Sequence, residues 1–443
     1  MRNPFRSILW QNSAFVRLWS AATISIFGSL ITRMAIPFVA ILVLDAGPIE
    51  VAVLRGLDLA VVLVVGLVAG AWVDRLRRRP VLIWADLGRA VLLGTIPVAF
   101  VLGALTIWQL LVVTALAAIL TTFFDAADNA YLPTIVERER LVEANSALAA
   151  TGSAAEFTAF GISGFLIAAL SAPVTIVIDA LTFVVSAVLL GGIRTPEGPP
   201  PPRSERAPVL AEIVQGLRLV RHDPVLRAFA IAQTLLATLW GVFGATWLLF
   251  ATRDLGLGPA PIGVIAGVGG AASFIGAVAA ERATRRWGIG RVAIAAMILA
   301  AVGNAFIPLA PAGMPLIAIG CLLVQQLVAD SAVTTYEVTE TTVRQTLVAD
   351  RQLGRVASTF HVAAVAAQLV ATIGAGLLAE SIGLRATTIL APIGALLGAA
   401  VLWFSPVRAV DRLVGAAAGP LPDPRVVMAE ATAETGRNEP IGG

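Results

Sequence analysis

The stretch GAWVDRLRRRP, residues 70–80, sets one carboxylate and four arginines into eleven positions. Apolar runs flank it on both sides, residues 51–69 before and 81–103 after. A run of about 20 apolar residues is long enough to cross ~30 Å of hydrocarbon. Such runs recur along nearly the whole chain, and the charge gathers at the joints between them. The 443 residues are 58% hydrophobic and 13% charged, with a mean hydropathy of +0.88. A soluble domain carries roughly a quarter charged residues, so this composition specifies a membrane protein. Apolar segments continue far beyond the first, which makes a signal peptide a poor account of the N-terminus.

The basic isoelectric point, near 9.9, does not indicate nucleic acid. The basic residues sit in short loops, where they fit anionic lipid and membrane topology. All 31 are arginine. Without lysine there is no Walker A phosphate loop and no Schiff base. One cysteine, Cys321, allows no intrachain disulfide or cysteine cluster, and two distant histidines, His222 and His361, offer little to a metal. The composition predicts neither an enzyme nor a cofactor.

Twelve spans are predicted: 17–44, 51–72, 80–103, 106–130, 142–170, 173–192, 226–251, 259–280, 289–309, 314–336, 355–379 and 386–405. Twenty arginines fall in loops and termini on one side, among them Arg75, Arg77, Arg138, Arg194, Arg218, Arg286, Arg344 and Arg408. The opposite loops hold little beyond Arg253 and Arg385. The positive-inside bias then places both termini in the cytoplasm of a multi-pass protein of the cell membrane. Residues 1–193 form one bundle of six helices and 226–407 a second. Between them, residues 194–225 begin as a stiff proline-rich linker. They continue as an amphipathic helix in which Leu210, Ile213, Leu217 and Val220 repeat at helical spacing. This helix lies on the membrane surface or docks on the bundle. Residues 408–443 have the composition of a disordered tail.

The two halves resemble each other. At an offset of 212, TIVERERLVEANS (134–146) matches TLVADRQLGRVAS (346–358) at Thr, Val, Leu and Ser. The same offset carries Gly164 onto Gly376, Asp125 onto Glu337 and Asp128 onto Glu340. Near 207, Asp74 and Arg75 fall on Glu281 and Arg282. The expected fold is an all-α membrane protein of twelve helices in two six-helix pseudo-repeats.

Within that topology, GAWVDRLRRRP resembles the Gly-x-x-x-Asp-Arg-x-Gly-Arg-Arg loop between helices 2 and 3 of the major facilitator superfamily. Gly70, Asp74, Arg75, Arg78 and Arg79 match, and Arg77 replaces the second glycine. ADLGRA (85–90), LPTIVERERLVEANS (132–146), IDALTFVVSAVLL (178–190) and EIVQGLRLVRHDPVLR (212–227) are similar to the drug:proton antiporter branch, which contains macrolide-efflux proteins and siderophore exporters. AFGISG (159–164) stands where that branch has a glycine–proline motif. The resemblance implies a conformational latch at Gly70, Asp74, Arg75, Arg78, Arg79, Glu281 and Arg282. It also implies a secondary transporter, exporting an amphipathic small molecule such as a drug, a macrolide or a siderophore. A proton or other ion gradient would drive it. The expected partners are this substrate and membrane lipid, with no nucleic acid, and the chain acts as a monomer. A lysophospholipid-type transporter and a non-transporting sensor are the competing readings. Gly66 and Gly70, one turn apart, are expected to give a smooth face for helix packing.

An ionisable group at mid-bilayer costs at least ~2.5–3.5 kcal/mol, so each must have a partner or a water-filled cavity. Arg33 lies ~16 Å below the outer end of its span, Glu156 ~21 Å and Asp58 ~10 Å, at 1.5 Å per residue. Arg33 is expected to pair with Glu156 or Asp58, as a functional or a structural pair. Asp125, Asp128, Glu337 and Glu340 are gate candidates for the loop arginines, or mark solvated helix ends. Asp86 and Arg89 read as a self-satisfied pair near the inner surface. Asp179 and Asp330 are proton-carrier candidates. His361 either titrates near neutrality or is a satisfied hydrogen-bonder.

Overall fold

The structure, a computed structural model, describes residues 8–73, 75–195, 197 and 209–409. Asp74, most of the proline-rich linker and the tail from 410 onward lie outside the described residues. Among those described, every regular element is helical. The first half comprises α1 (Ser13–Phe38), α2 (Pro48–Val73), α3 (Arg78–Val101), α4 (Ile107–Ile135), α5 (Leu141–Leu170) and α6 (Ala172–Gly191). A connecting helix, α7 (Val209–His222), leads to α8 (Pro224–Leu249), α9 (Pro259–Trp287), α10 (Ile289–Asn304) and the single turn α11 (Phe306–Leu309). Then come α12 (Pro315–Gln325), α13 (Ser331–Leu347), α14 (Asp350–Ile382), the short α15 (Leu384–Thr388) and α16 (Ala391–Trp403). Eleven helical spans among the described residues are long and apolar enough to cross a membrane. Helix α2, with 26 residues, is the twelfth and packs between α4 and α14.

Local chemistry sets the ends. Asn12 caps α1 by accepting the N–H groups of Ala14 and Phe15, and Asp223 caps α8 in the same way, with Pro224 at the first helical position. Helix α4 runs past the expected end at 130 to Ile135, with Pro133 in its last turn, and α9 runs past 280 to Trp287.

The duplication is more complete in the backbone than in the sequence. Left-handed residues recur at offsets of 210–212: Asp45 (φ 51) and Gly256 (φ 67), Gly103 (φ 66) and Gly313 (φ 77), Ser171 (φ 74) and Gly383 (φ 88). Two of the three first-half positions carry a side chain there, a conformation that non-glycine residues rarely adopt. Helical bulges repeat too, since the five-residue π turn Val39–Val43 at the end of α1 recurs as Phe250–Asp254 after α8.

The halves meet along two symmetry-related contacts, α5 on α9 and α14 on α2. At the arginine-poor ends one apolar core spans both, with Phe38, Leu54, Ile96 and Ile167 from one half and Trp247, Phe250, Ile262 and Leu322 from the other. Toward the arginine-rich ends the first half keeps a cluster of its own around Phe15, Leu82 and Tyr131. Phe229, Met297 and Tyr336 belong to a separate cluster drawn from the second half and its connecting helix, with Ala52 of α2 added.

Close backbone approach completes the closure at the arginine-poor face. A Cβ on Gly164 would stand 2.5 Å from the Pro259 carbonyl oxygen and 2.6 Å from Gly263 Cα. One on Gly376 would collide with Ala52 Cβ and lie 3.1 Å from the Pro48 oxygen. Arg253 also crosses between the halves there, 2.7 Å from the Asp45 carboxylate and 2.9 Å from the Ala46 oxygen. The other arginine of that face, Arg385, donates to the Pro308 and Ala310 carbonyls, each at 2.9 Å, and so satisfies the end of α11.

Packing decides two of the expectations. Helix α7 docks on α14 and α8, and Gly216 meets the Arg355 backbone so closely that no side chain fits. Of the two places open to it, α7 takes the bundle. Gly66, expected to pack, has nothing within 4 Å of a built Cβ.

Candidate functional site

At the signature loop, helix α3 begins at Arg78, and its first free N–H groups need acceptors. Glu197 supplies both: its carboxylate accepts from Arg78 N at 2.7 Å and from Arg79 N at 2.8 Å. A carboxylate at a helix N-terminus is also favoured by the helix dipole. The Arg79 side chain donates to the Leu190 carbonyl at 3.0 Å and to the Gly191 carbonyl, while Arg17 donates to the Gly192 carbonyl. Cations thus satisfy the end of α6. Arg77 is extended (φ −69, ψ 127), so the loop turns without the left-handed residue that a glycine would supply. Arg75 and Arg77 are exposed. The counterpart differs, because Glu281 pairs with Arg285 on the exposed last turns of α9, and Arg282 lies in the same helix. Glu197 carried no recognisable signal in the sequence. Glu197→Ala is expected to speed amide exchange at Arg78 and Arg79 by about 5–30-fold, the equivalent of a lost cap worth ~1–2 kcal/mol. Hydrogen-exchange mass spectrometry on the first turn of α3 checks this.

A second group lies inside the first half. Asp86 is 0% exposed, Arg89 3% and Asp179 1%. Arg89 Nη2 lies 2.5 Å from Asp86 Oδ1. Its guanidinium sits between two rings, 4.4 Å from the centroid of Phe124 and 4.1 Å from that of Phe183. Asp125 and Asp179 both interact electrostatically with Arg89, and Asp128 faces Asp125 and Asp86. Thr182 Oγ1 donates to Asp179 at 3.1 Å, and Gly28 of α1 leaves room for both side chains. Asp86 Oδ2, Asp128 Oδ1 and Asp179 Oδ2 are buried, with the Ser186 hydroxyl beside Asp86 and the Thr32 hydroxyl beside Asp179. The pair expected near the inner surface is therefore the centre of a larger, acid-rich cluster. Asp125, on the exposed side of α4, connects this cluster to the surface.

The third group lines the space between the halves. Arg33 is exposed on α1 and interacts electrostatically with Arg55 and Asp58 of α2. Asp58 pairs with Arg55 at 3.6 Å, and Arg55 reaches α8 beside Gly244. Because α2 starts at Pro48, Asp58 lies ~15 Å below its outer end, level with Arg33. Glu156 belongs elsewhere. Its carboxylate acts on Asp330 and Glu337 of the other half, and among the described residues no ion pair within 4 Å joins it to Arg33. Arg55 was missed in the sequence, although its placement three residues before Asp58 in an apolar run is the same signal that singled out Arg33.

The profile of the Major Facilitator Superfamily matches residues 18–335, well over half the chain. The chain belongs to this superfamily. Among curated proteins, it is 29% identical over 397 residues to the multidrug efflux pump Tap of Mycolicibacterium fortuitum, covering 87% of this chain and 94% of that one. It is 25% identical over 222 residues to macrolide efflux protein A of Streptococcus pyogenes, covering 50% and 54%. Among solved structures, a bacterial homologue of the iron transporter ferroportin in its inward-facing state superposes with a TM-score of 0.72 at 17% identity, over 90% of this chain and 99% of that one. The nucleoside transporter NupG follows with 0.69 at 13%, over 88% and 98%. At these identities the structural likeness concerns the fold. The facilitator fold and the family make this chain a multi-pass membrane transporter.

In this facilitator the expected gate carboxylates do not meet the loop arginines among the described contacts. Asp125 faces Arg89, Asp128 faces Asp125 and Asp86, and Glu340 pairs with Arg344 one turn away at 3.6 Å. The cations that act on Asp125 and Glu340 are Arg89 and Arg344. Glu337 is exposed toward Glu156, and Asp330 is half-buried in a π turn, Gln326–Asp330. His361 is exposed on α14.

Proposed function

We propose that this transporter exports an amphipathic small molecule, drug-, macrolide- or siderophore-like, in exchange for protons. It works by alternating access in the cell membrane, with both termini cytoplasmic. It acts as a monomer in contact with lipid, without a cofactor or nucleic acid. The Arg89 cluster carries this reading. One guanidinium neutralises one carboxylate, and a membrane interior does not hold the remaining aspartates as bare charges. They are neutral only as acids, so the cluster is a store for protons, and the exposed Asp125 gives it access to the surface. The names of the efflux relatives support the direction of transport. The shared core at the arginine-poor face supports a resting state open toward the cytoplasm.

Proteoliposomes with an imposed pH gradient test the proposal. Efflux substrates of several classes are expected to move against the proton flow, and a protonophore is expected to stop them. An absence of gradient-dependent flux across the whole panel would overturn the proton coupling.

A further inference from the structure

One polar place in the second half departs from the repeat. Three left-handed positions recur between the halves, as do the π turns at 39–43 and 250–254. The π turn Gln326–Asp330 does not recur. Its counterpart near residues 114–118 is regular α-helix within α4, and Ala118 stands where the second half has Asp330. A π turn inside a long helix costs regular hydrogen bonds and is frequent at functional sites.

What the bulge turns inward is polar. Gln326 is 5% exposed, and its Oε1 has no hydrogen-bond partner. Its Nε2 donates a long bond, 3.4 Å, to the Ile265 carbonyl of α9. A Cβ on Gly269 of α9 would collide with both Gln326 Nε2 and Asp330 Oδ2, so the amide and the carboxylate meet over that glycine. Helix α9 packs against α5 on one side and the π turn on the other. Across it, Glu156 of α5 faces Asp330 and Glu337. Glu156 lies ~21 Å below the outer end of α5 and Asp330 ~22 Å below the start of α12, so the two are level.

We propose that Glu156, Gln326, Asp330 and Glu337 form the receptor for the cationic head of an organic substrate, an ammonium or phosphonium centre on an apolar body. Three carboxylates from both halves face one another there, and the buried amide oxygen of Gln326 adds a neutral acceptor. Among the described residues no group of three acids, cysteines or histidines converges closely enough to hold a metal ion. The carboxylates feel each other without converging, a spacing that suits a charge of organic size. The assignment deepens the export reading, on which it rests for the route of the bound molecule.

The test compares two probes of nearly equal size and opposite sign, tetraphenylphosphonium and tetraphenylborate, by equilibrium binding to the purified full chain in maltoside micelles. Wild-type protein is expected to bind the cation at least about 10-fold more tightly than the anion. Glu156→Gln changes an exposed side chain and does not endanger folding; it is expected to weaken cation binding about 10-fold. Asp330→Asn is expected to do the same, and Asp330→Glu to restore most of the preference. Equal binding of both probes overturns the assignment, as does a preference unchanged in Glu156→Gln and Glu337→Gln. Because binding is read without a gradient, a cation-selective protein that shows no proton-driven flux would refute the coupling and leave the receptor standing.

Discussion

Arg89→Leu is expected to lower the stability of the folded transporter by roughly 3–5 kcal/mol, the range for removing one partner of a buried ion pair. Arg89 is the cation between Asp86 and Asp179, and all three are almost fully buried. Leucine fills much of the space between Phe124 and Phe183, so packing is not the main loss. The loss is electrostatic: two interior carboxylates keep their desolvation and lose their counter-charge. The double variant Arg89→Leu with Asp86→Asn removes an acid together with the cation and is expected to recover most of the stability. Its proton-driven flux is expected to stay impaired, because Asp125 and Asp179 no longer have the cation on which they act. Thermal unfolding in micelles and flux in proteoliposomes measure the two effects separately. Wild-type melting of Arg89→Leu would show that the aspartates do not depend on this cation.

Gly164→Val and Gly376→Val act on the other large term, the closure of the arginine-poor face. The atoms that a side chain at Gly164 would meet are the Pro259 oxygen and Gly263 Cα, both backbone. No rotamer change relieves such a clash, so α5 must part from α9, or α2 from α14. Overpacking of this kind costs about 1–3 kcal/mol. Charged against the closed state, that shifts the closed-to-open equilibrium by roughly 5–150-fold. Spin labels at Leu102→Cys and Leu316→Cys, on exposed positions at the arginine-poor ends of α3 and α12, report the separation of the halves once Cys321 is serine. Either valine is expected to lengthen the distance, whereas Gly66→Val, with nothing within 4 Å, is expected to leave it unchanged. An unaltered distance in both gate variants would mean that these glycines do not hold the face shut.

The legibility of the site follows the range of the interactions involved. The spans were readable because each depends on some 20 adjacent side chains meeting one solvent. The ends of helices were less so, since α4 continues through Pro133 and α9 through an arginine-rich turn. Charged residues inside spans announced themselves one at a time, as Arg33, Asp58, Glu156, Asp179 and Asp330 did. Their partners did not. Arg33 and Glu156 looked suited to each other by depth alone, yet depth carries no information about which face of a helix turns toward which neighbour. Glu156 looks across α9 to Asp330, and Asp58 takes the arginine three residues before it on its own helix.

Sequence by itself determined what adjacent residues can decide: a chain of apolar spans, the sidedness of its arginines, the division at the proline-rich linker, and a duplication visible in Gly164 with Gly376 and Asp125 with Glu337. Tertiary structure decided the rest. Only packing shows that Gly164 and Gly376 seal one face, that Glu197 rather than a residue of the loop caps α3, and that Asp86 and Arg89 gather three more aspartates. Only the folded backbone shows that Asp45 and Ser171 keep the left-handed form of Gly256 and Gly383, and that Gln326–Asp330 departs from the repeat. The physical reason is that hydrophobic transfer acts residue by residue against the bilayer. Charge pairing and close backbone contact depend instead on distances of a few ångströms between helices far apart in the chain.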